Sequence, residues 1–229
     1  MAILHLPPVI LSFLTPYVNS FPNYKNAYND KDIKSMETLS KLFGSETKVK
    51  VMRLFLFNPD KVFDVKTISE KIDEHSSKAR RELSTLEKID FIKRRVSSKN
   101  GKQVNGYIMN SNFSYLLPLQ NFLINIEPLQ PKELIKKITK LGSIKMIIVA
   151  GVFIQDVESR ADILVVGDGV KRSNLEGLMK TLESEIGKEL KYAYFTTEDF
   201  KYRISMFDKL TRDILDYPHK KILNKLGII

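Results

Sequence analysis

The chain of 229 residues contains no cysteine, which excludes a disulfide scaffold and any thiolate metal site. The absence fits a reducing compartment, and the cytoplasm is the expected location. Only three histidines occur, His5, His75 and His219, and their scatter gives no metal-ligand spacing. Long hydrophobic runs are also missing. The apolar opening, MAILHLPPVILSFLTPYVNSF, is broken by proline and falls well short of the ~20 residues a membrane span needs. It has neither a basic start nor a small-residue cleavage site, so it does not read as a secretory signal. No membrane partner is expected, and neither a cofactor nor a metal.

Acidic residues are in deficit. The formal net charge is +10, and much of it sits in one place. Residues 75–103 hold nine Lys and Arg against three acids. So dense a cationic segment attracts phosphate backbones, although a charge run is also what an ordinary solvated surface looks like.

What surrounds that segment gives it meaning. Apolar spacing predicts helices over 36–43 and 46–57, the second ended by FNPD because Pro59 disfavours helix in the residue before it. A compact helix is expected over 65–73, with Ile68 and Ile72 facing inward. Another is expected from about Ser77, as N-cap, to Ile89, burying Ala79, Leu83 and Leu86. The outer face of that helix carries Ser76, Ser77, Lys78, Arg80, Arg81 and Ser84. Residues 91–110 then read as two strands around Asn100-Gly101, a strong hairpin signal. Lys93, Arg94 and Arg95 lie on the entering strand, and Lys99, Asn100 and Lys102 at the tip.

Two helices followed directly by a basic hairpin make a winged helix-turn-helix, whose second helix reads the major groove while the wing lies on the sugar-phosphate. Double-stranded DNA is the expected partner. The stretch from Leu42 to Arg95, with its opening FGS…LFLFNP, resembles the small winged-helix regulators of bacteria and archaea. In particular it resembles those with a nucleotidyltransferase-like domain behind the wing. The resemblance extends over nearly all of 36–229.

The expected organisation is α+β: a leader over 1–35, a winged helix over 36–112, a helical linker over 113–142 and a small mixed-sheet domain over 143–229. Met36 is a candidate true start. The linker helix in SYLLPLQNFLINI either packs on a partner subunit in a homodimer or closes its own core. From Ile144 the pattern becomes strand (144–153), strand (ADILVVGD), helix (174–187), strand (189–196) and one helix (196–218), broken near Met206 and capped by Thr196.

This second part resembles the minimal nucleotidyltransferase fold of the polymerase-beta superfamily. There the first strand ends in Gly-Ser and the second carries Asp-x-Asp, which holds a divalent metal. Laid on that pattern, Gly151 matches but Val152 replaces the serine. Asp162 matches the second aspartate, but Arg160 replaces the first. The resemblance therefore implies a degenerate site with no catalytic residue, kept for dimerisation, partner contact or sensing a nucleotide or protein effector. Asp162 is expected to bond loop amides or Arg160. The competing classes are an active nucleotidyltransferase acting on a protein, RNA or small molecule, and one half of a toxin–antitoxin or defence pair.

Overall fold

The computed structural model describes residues 35–99, 102–124, 130–156 and 159–227. All lie in one unit, Lys34–Ile229, of mixed helices and strands, an α+β architecture. The leader expected over 1–35 lies outside the described residues except for Ser35.

Helix α1 (Ser35–Phe43) leads into α2 (Glu46–Phe57), whose first turn is fixed by Ser45 accepting a bond from the Lys48 amide. Helix α2 ends where Pro59 requires, at cap residue Asn58. Helix α3 (Val65–Ile72) is capped by Asp64 and closes on Asp73 in the left-handed region, φ 52°. Helix α4 (Ser76–Lys88) starts earlier than expected: its N-cap is His75, not Ser77. The first helical bond runs from Ala79 N to His75 O, which puts Ser77 inside the first turn. Ile68, Ile72, Ala79, Leu83 and Leu86 are all buried, as the spacing predicts.

Strands β1 (Ile92–Lys99) and β2 (Lys102–Met109) form the antiparallel hairpin, with Lys99 opposite Lys102. The turn at Asn100-Gly101 lies outside the described residues. Phe63 pairs with Tyr107 on the far side of β2. Helix α5 (Leu116–Leu123), with Pro118 in its first turn, buries Leu123 in the same core. It therefore does close its own core, yet it leaves Tyr115 and Leu117 exposed.

After α6 (Pro131–Ile138) comes a four-stranded sheet: β3 (Ser143–Val149), β4 (Ile163–Asp168), β5 (Tyr192–Phe195) and β6 (Lys220–Asn224), ordered β5-β4-β3-β6. Strand β3 is antiparallel to β4 and β6, while β4 is parallel to β5. Helix α7 (Arg172–Ile186) provides the long connection a parallel pair needs. Ile147, Val149, Ile163 and Val165 pack with α6 and α7. Met146, Ile148, Leu164 and Val166 pack instead with Phe200 of α8 (Thr197–Ser205) and Ile214 of α9 (Lys209–Leu215). Covered on both faces, these strands read as unbroken apolar runs.

Two expectations need correction here. The strand predicted over 144–153 stops at Val149, because Gly151 takes φ +52° and turns the chain into a 3-10 helix. Strand β5 begins at Tyr192, so Glu189 lies before it. The break expected near Met206 in the 196–218 helix is found there: Phe207 is left-handed, φ 54°, and Asp208 caps a new start. Strand β6 was not anticipated at all.

The two halves meet at Arg53. Its side chain is buried, and Nε donates to Leu123 O at 3.1 Å while Nη1 donates to Glu185 O at 2.8 Å. One guanidinium thus satisfies carbonyls at the C-terminal ends of α5 and α7, where a cation is favoured. Burial pushes its pKa down to about 10, still far above neutrality. Asn58 Nδ2 donates to Gly187 O, and Gly187 (φ +88°) admits no side chain, since a Cβ would stand 2.6 Å from the backbone of Arg53 and Leu54.

Candidate functional site

Helix α4 presents its outer face as the spacing predicts: Ser76, Ser77, Lys78, Arg80, Arg81 and Ser84 are all exposed. The buried stripe fixes which residues face out, because positions three and four apart share a face. Lys93, Arg94 and Arg95 on β1 are exposed too. Lys99 and Lys102 face each other across the last pair of the hairpin.

These cations are not equivalent. Lys78 pairs with Glu74 at 3.1 Å, Arg81 with Glu82 at 3.1 Å and Arg94 with Glu87 at 2.7 Å. Glu87 holds the Arg94 guanidinium above its ordinary pKa, by hydrogen bond and then by charge. That ion pair ties β1 to α4, so Arg94 serves the packing of the hairpin on the helix. Arg80, Lys93 and Arg95 form no ion pair with a described residue, and their charge is fully presented to solvent. Glu82 is the acid that spacing could not place: it lies on the buried face of α4 and also meets Lys48 at 3.7 Å.

The second candidate lies where β3 ends and β4 begins. Antiparallel pairing brings Gly151, Val152 and Asp162 together although ten residues separate Val152 from Asp162. Asp162 is buried. Its Oδ1 accepts from Val152 N at 2.8 Å and its Oδ2 from Lys191 N at 2.8 Å. Its own amide donates to Lys191 O at 2.6 Å, and its carbonyl accepts from Ala150 N at 2.9 Å. The carboxylate is a clasp that ties the turn after β3 to the approach to β5. A Cβ on Gly151 would run into Oδ1, so glycine is required there for the close approach as well as for φ.

Arg160 does not join this group. Its side chain is 68% exposed and, among the described residues, it pairs with Asp213 at 3.9 Å. Of the two partners expected for Asp162, the loop amides are found and Arg160 is not. A divalent metal of the kind the resemblance implies does not fit these residues. Both oxygens of Asp162 already face N–H donors, and the position two residues earlier offers a cation. Among the described residues, no group of three or more His, Asp or Glu is placed to hold a metal ion.

None of the described helices is long and apolar enough to cross a membrane. No family model matches the chain, and neither does any curated protein or solved structure.

Proposed function

We propose that the protein is a DNA-binding transcriptional regulator. In this reading α2–α4 with the β1–β2 hairpin are a winged helix-turn-helix, α4 enters the major groove and the hairpin rests on the sugar-phosphate. The observation that carries it is the conjunction of one exposed helix face, Ser76 to Ser84, with Arg80, Lys93 and Arg95 on α4 and the adjoining strand, which pair with no described acid. Arg80 is the best candidate for a base contact, since an unpaired guanidinium can address guanine with two bonds.

The β3–β6 half is read as a nucleotidyltransferase-like scaffold without catalysis, serving dimerisation, ligand sensing or partner contact. What supports this is the commitment of Asp162 to backbone amides, together with Arg160 and Val152 in place of an acid and a hydroxyl. A homodimer through the exposed Tyr115 and Leu117 of the α5 region, acting in the cytoplasm, completes the proposal.

The test is duplex binding at several salt concentrations. Arg80→Ala and Arg95→Ala should each weaken binding by about 1–3 kcal/mol, and each phosphate contact removed should lower the salt slope by about one. Arg94→Ala should act mainly by loosening the hairpin, seen as a lower melting temperature. Unchanged duplex affinity in the Arg80→Ala, Arg95→Ala double variant would refute the assignment.

A further inference from the structure

Four large apolar side chains stand exposed where α8 gives way to α9: Tyr202, Met206, Phe207 and Leu210. Met206 lies one turn beyond Tyr202, and its amide donates to the Tyr202 carbonyl at 3.0 Å. Phe207 is 75% exposed and sits in the left-handed region at φ 54°. Asparagine or glycine would take that backbone at less cost, and the Phe207 ring belongs to none of the hydrophobic clusters of the chain. The corner that carries it is stiff. Asp208 N donates to Arg203 O at 2.9 Å, and the Arg203 guanidinium bonds the Asp208 carboxylate at 3.1 Å while lying 4.6 Å from the centre of the Phe195 ring.

Helix α9 continues the surface. It buries Thr211 and Ile214 and leaves Lys209, Leu210, Arg212 and Asp216 exposed, with Tyr217 exposed just beyond its end. Lys209 and Asp216 are two turns apart, which puts them on one side of the helix. The order of charge along α9 is the reverse of what a helix dipole favours: Lys209 and Arg212 come first, Asp213 and Asp216 last. Arg212 pairs with Asp216 at 3.3 Å and Asp213 with Arg160 at 3.9 Å, while Lys209 pairs with no described acid. Neither the apolar corner nor this charge order serves the folding of a single chain.

We propose that α8 and α9 form an isologous interface with a second copy of this chain, the two α9 helices lying antiparallel about a two-fold axis. Such an axis sets a surface against itself in reverse order. Lys209 of one copy then meets Asp216 of the second copy, and the pair occurs twice. The apolar corner at Phe207 meets the far end of the other α9, where Tyr217 is exposed. The extent suffices. At ~200 Å² for an aromatic side chain, Phe207 at 75% and Tyr202 at 64% expose roughly 280 Å². Met206, Leu210 and Tyr217 bring the apolar area to roughly 500 Å², the greater part of the ~800 Å² that each partner of a stable interface contributes. The proposal depends neither on the α5 contact nor on the DNA reading given above.

The test is sedimentation equilibrium of the full chain without DNA, from low to high micromolar protein. Wild type should self-associate. Phe207→Asn should weaken association by about tenfold without lowering the melting temperature of the dilute monomer, because asparagine accepts the left-handed backbone. Lys209→Asp should also weaken it by about tenfold, although it gives α9 the charge order its dipole favours. Combining Lys209→Asp with Asp216→Lys should restore association. Within one chain the two positions lie ~10 Å apart along the helix, too far to pair, so recovery reports a contact between copies. The proposal is overturned if wild type stays monomeric, which would assign the surface to a different partner. It is overturned equally if Phe207→Asn associates like wild type, or if the exchanged double variant stays as weak as Lys209→Asp. Tyr115→Glu separates this contact from the one at α5. Association lost in Tyr115→Glu but kept in Phe207→Asn supports α5 and overturns the α8–α9 interface, and the converse result does the opposite.

Discussion

Both carboxylate oxygens of Asp162 accept backbone N–H bonds, so the residue is replaced at a cost that chemistry at the site does not set. Asp162→Ala orphans the buried Val152 amide and the partly buried Lys191 amide and should destabilise by about 1–3 kcal/mol. Asp162→Asn keeps one acceptor but turns an amide N–H₂ toward the other donor, so it should recover only part of the loss. Urea unfolding measures both; an Asp162→Asn variant as stable as wild type would show that one of the two bonds carries no weight. Asp162 was legible as a structural acid because its neighbours in sequence spoiled the metal pattern. Arg53 was not legible. In KVKVMRLF it looks like one more solvent-facing cation, and the groups that bury it, Leu123 and Glu185, are supplied by elements 70 and 132 residues away.

At the scale of elements, two short helices depend on acid side chains. Asp208 caps α9 through the Thr211 amide, and that bond first, then the Thr211 hydroxyl and Arg203, hold its carboxyl below the usual range. Asp168, at the end of β4, is held down likewise by the hydroxyl and the amide of Thr197 at the start of α8. Both folded-state values are depressed, so this stabilisation is complete above the ordinary carboxylate pKa of ~3.9 and is lost as pH falls through the lower folded values. Asp208→Asn should therefore melt below wild type at neutral pH, and the gap should close under strongly acidic conditions. A gap independent of pH would mean that the Asp208 charge is not involved.

The break between α8 and α9 was signalled by the Met206-Phe207 neighbourhood, and the Thr196 cap by its hydroxyl. Strand β6 gave no such signal: KKILN is short, places two lysines together and does not alternate. Its strand character comes from β3, which offers an unpaired edge and accepts it across a bulge between Ile147 and Ile148. The cap of α4 was misplaced for a related reason. Serine favours the N-cap, but the cap residue is His75, which makes no side-chain cap bond, so the helix start carries no residue-type signal.

For the molecule as a whole, the Arg53 joint predicts cooperativity. A buried guanidinium bonding two helix ends, with Gly187 pressed against α2, makes the halves melt together. Arg53→Met removes these bonds and should cost about 3 kcal/mol. In scanning calorimetry the single transition of wild type should separate into two. Arg53→Lys should not restore it, because an ammonium lacks the diverging donors that reach Leu123 and Glu185 at once. A variant that still melts in one step would place the coupling elsewhere along the seam.

The rim position of β6 has a consequence for how the chain is made. Strand β3 finds its partner β4 soon after synthesis, but its other flank stays bare until residues 220–224 emerge from the ribosome. During that interval the polypeptide carries an open β-edge, the surface on which neighbouring nascent chains can stack. The late-arriving Lys220 and Lys221 close that flank and at the same time plant positive charge along the new border, where it discourages a further strand from adding.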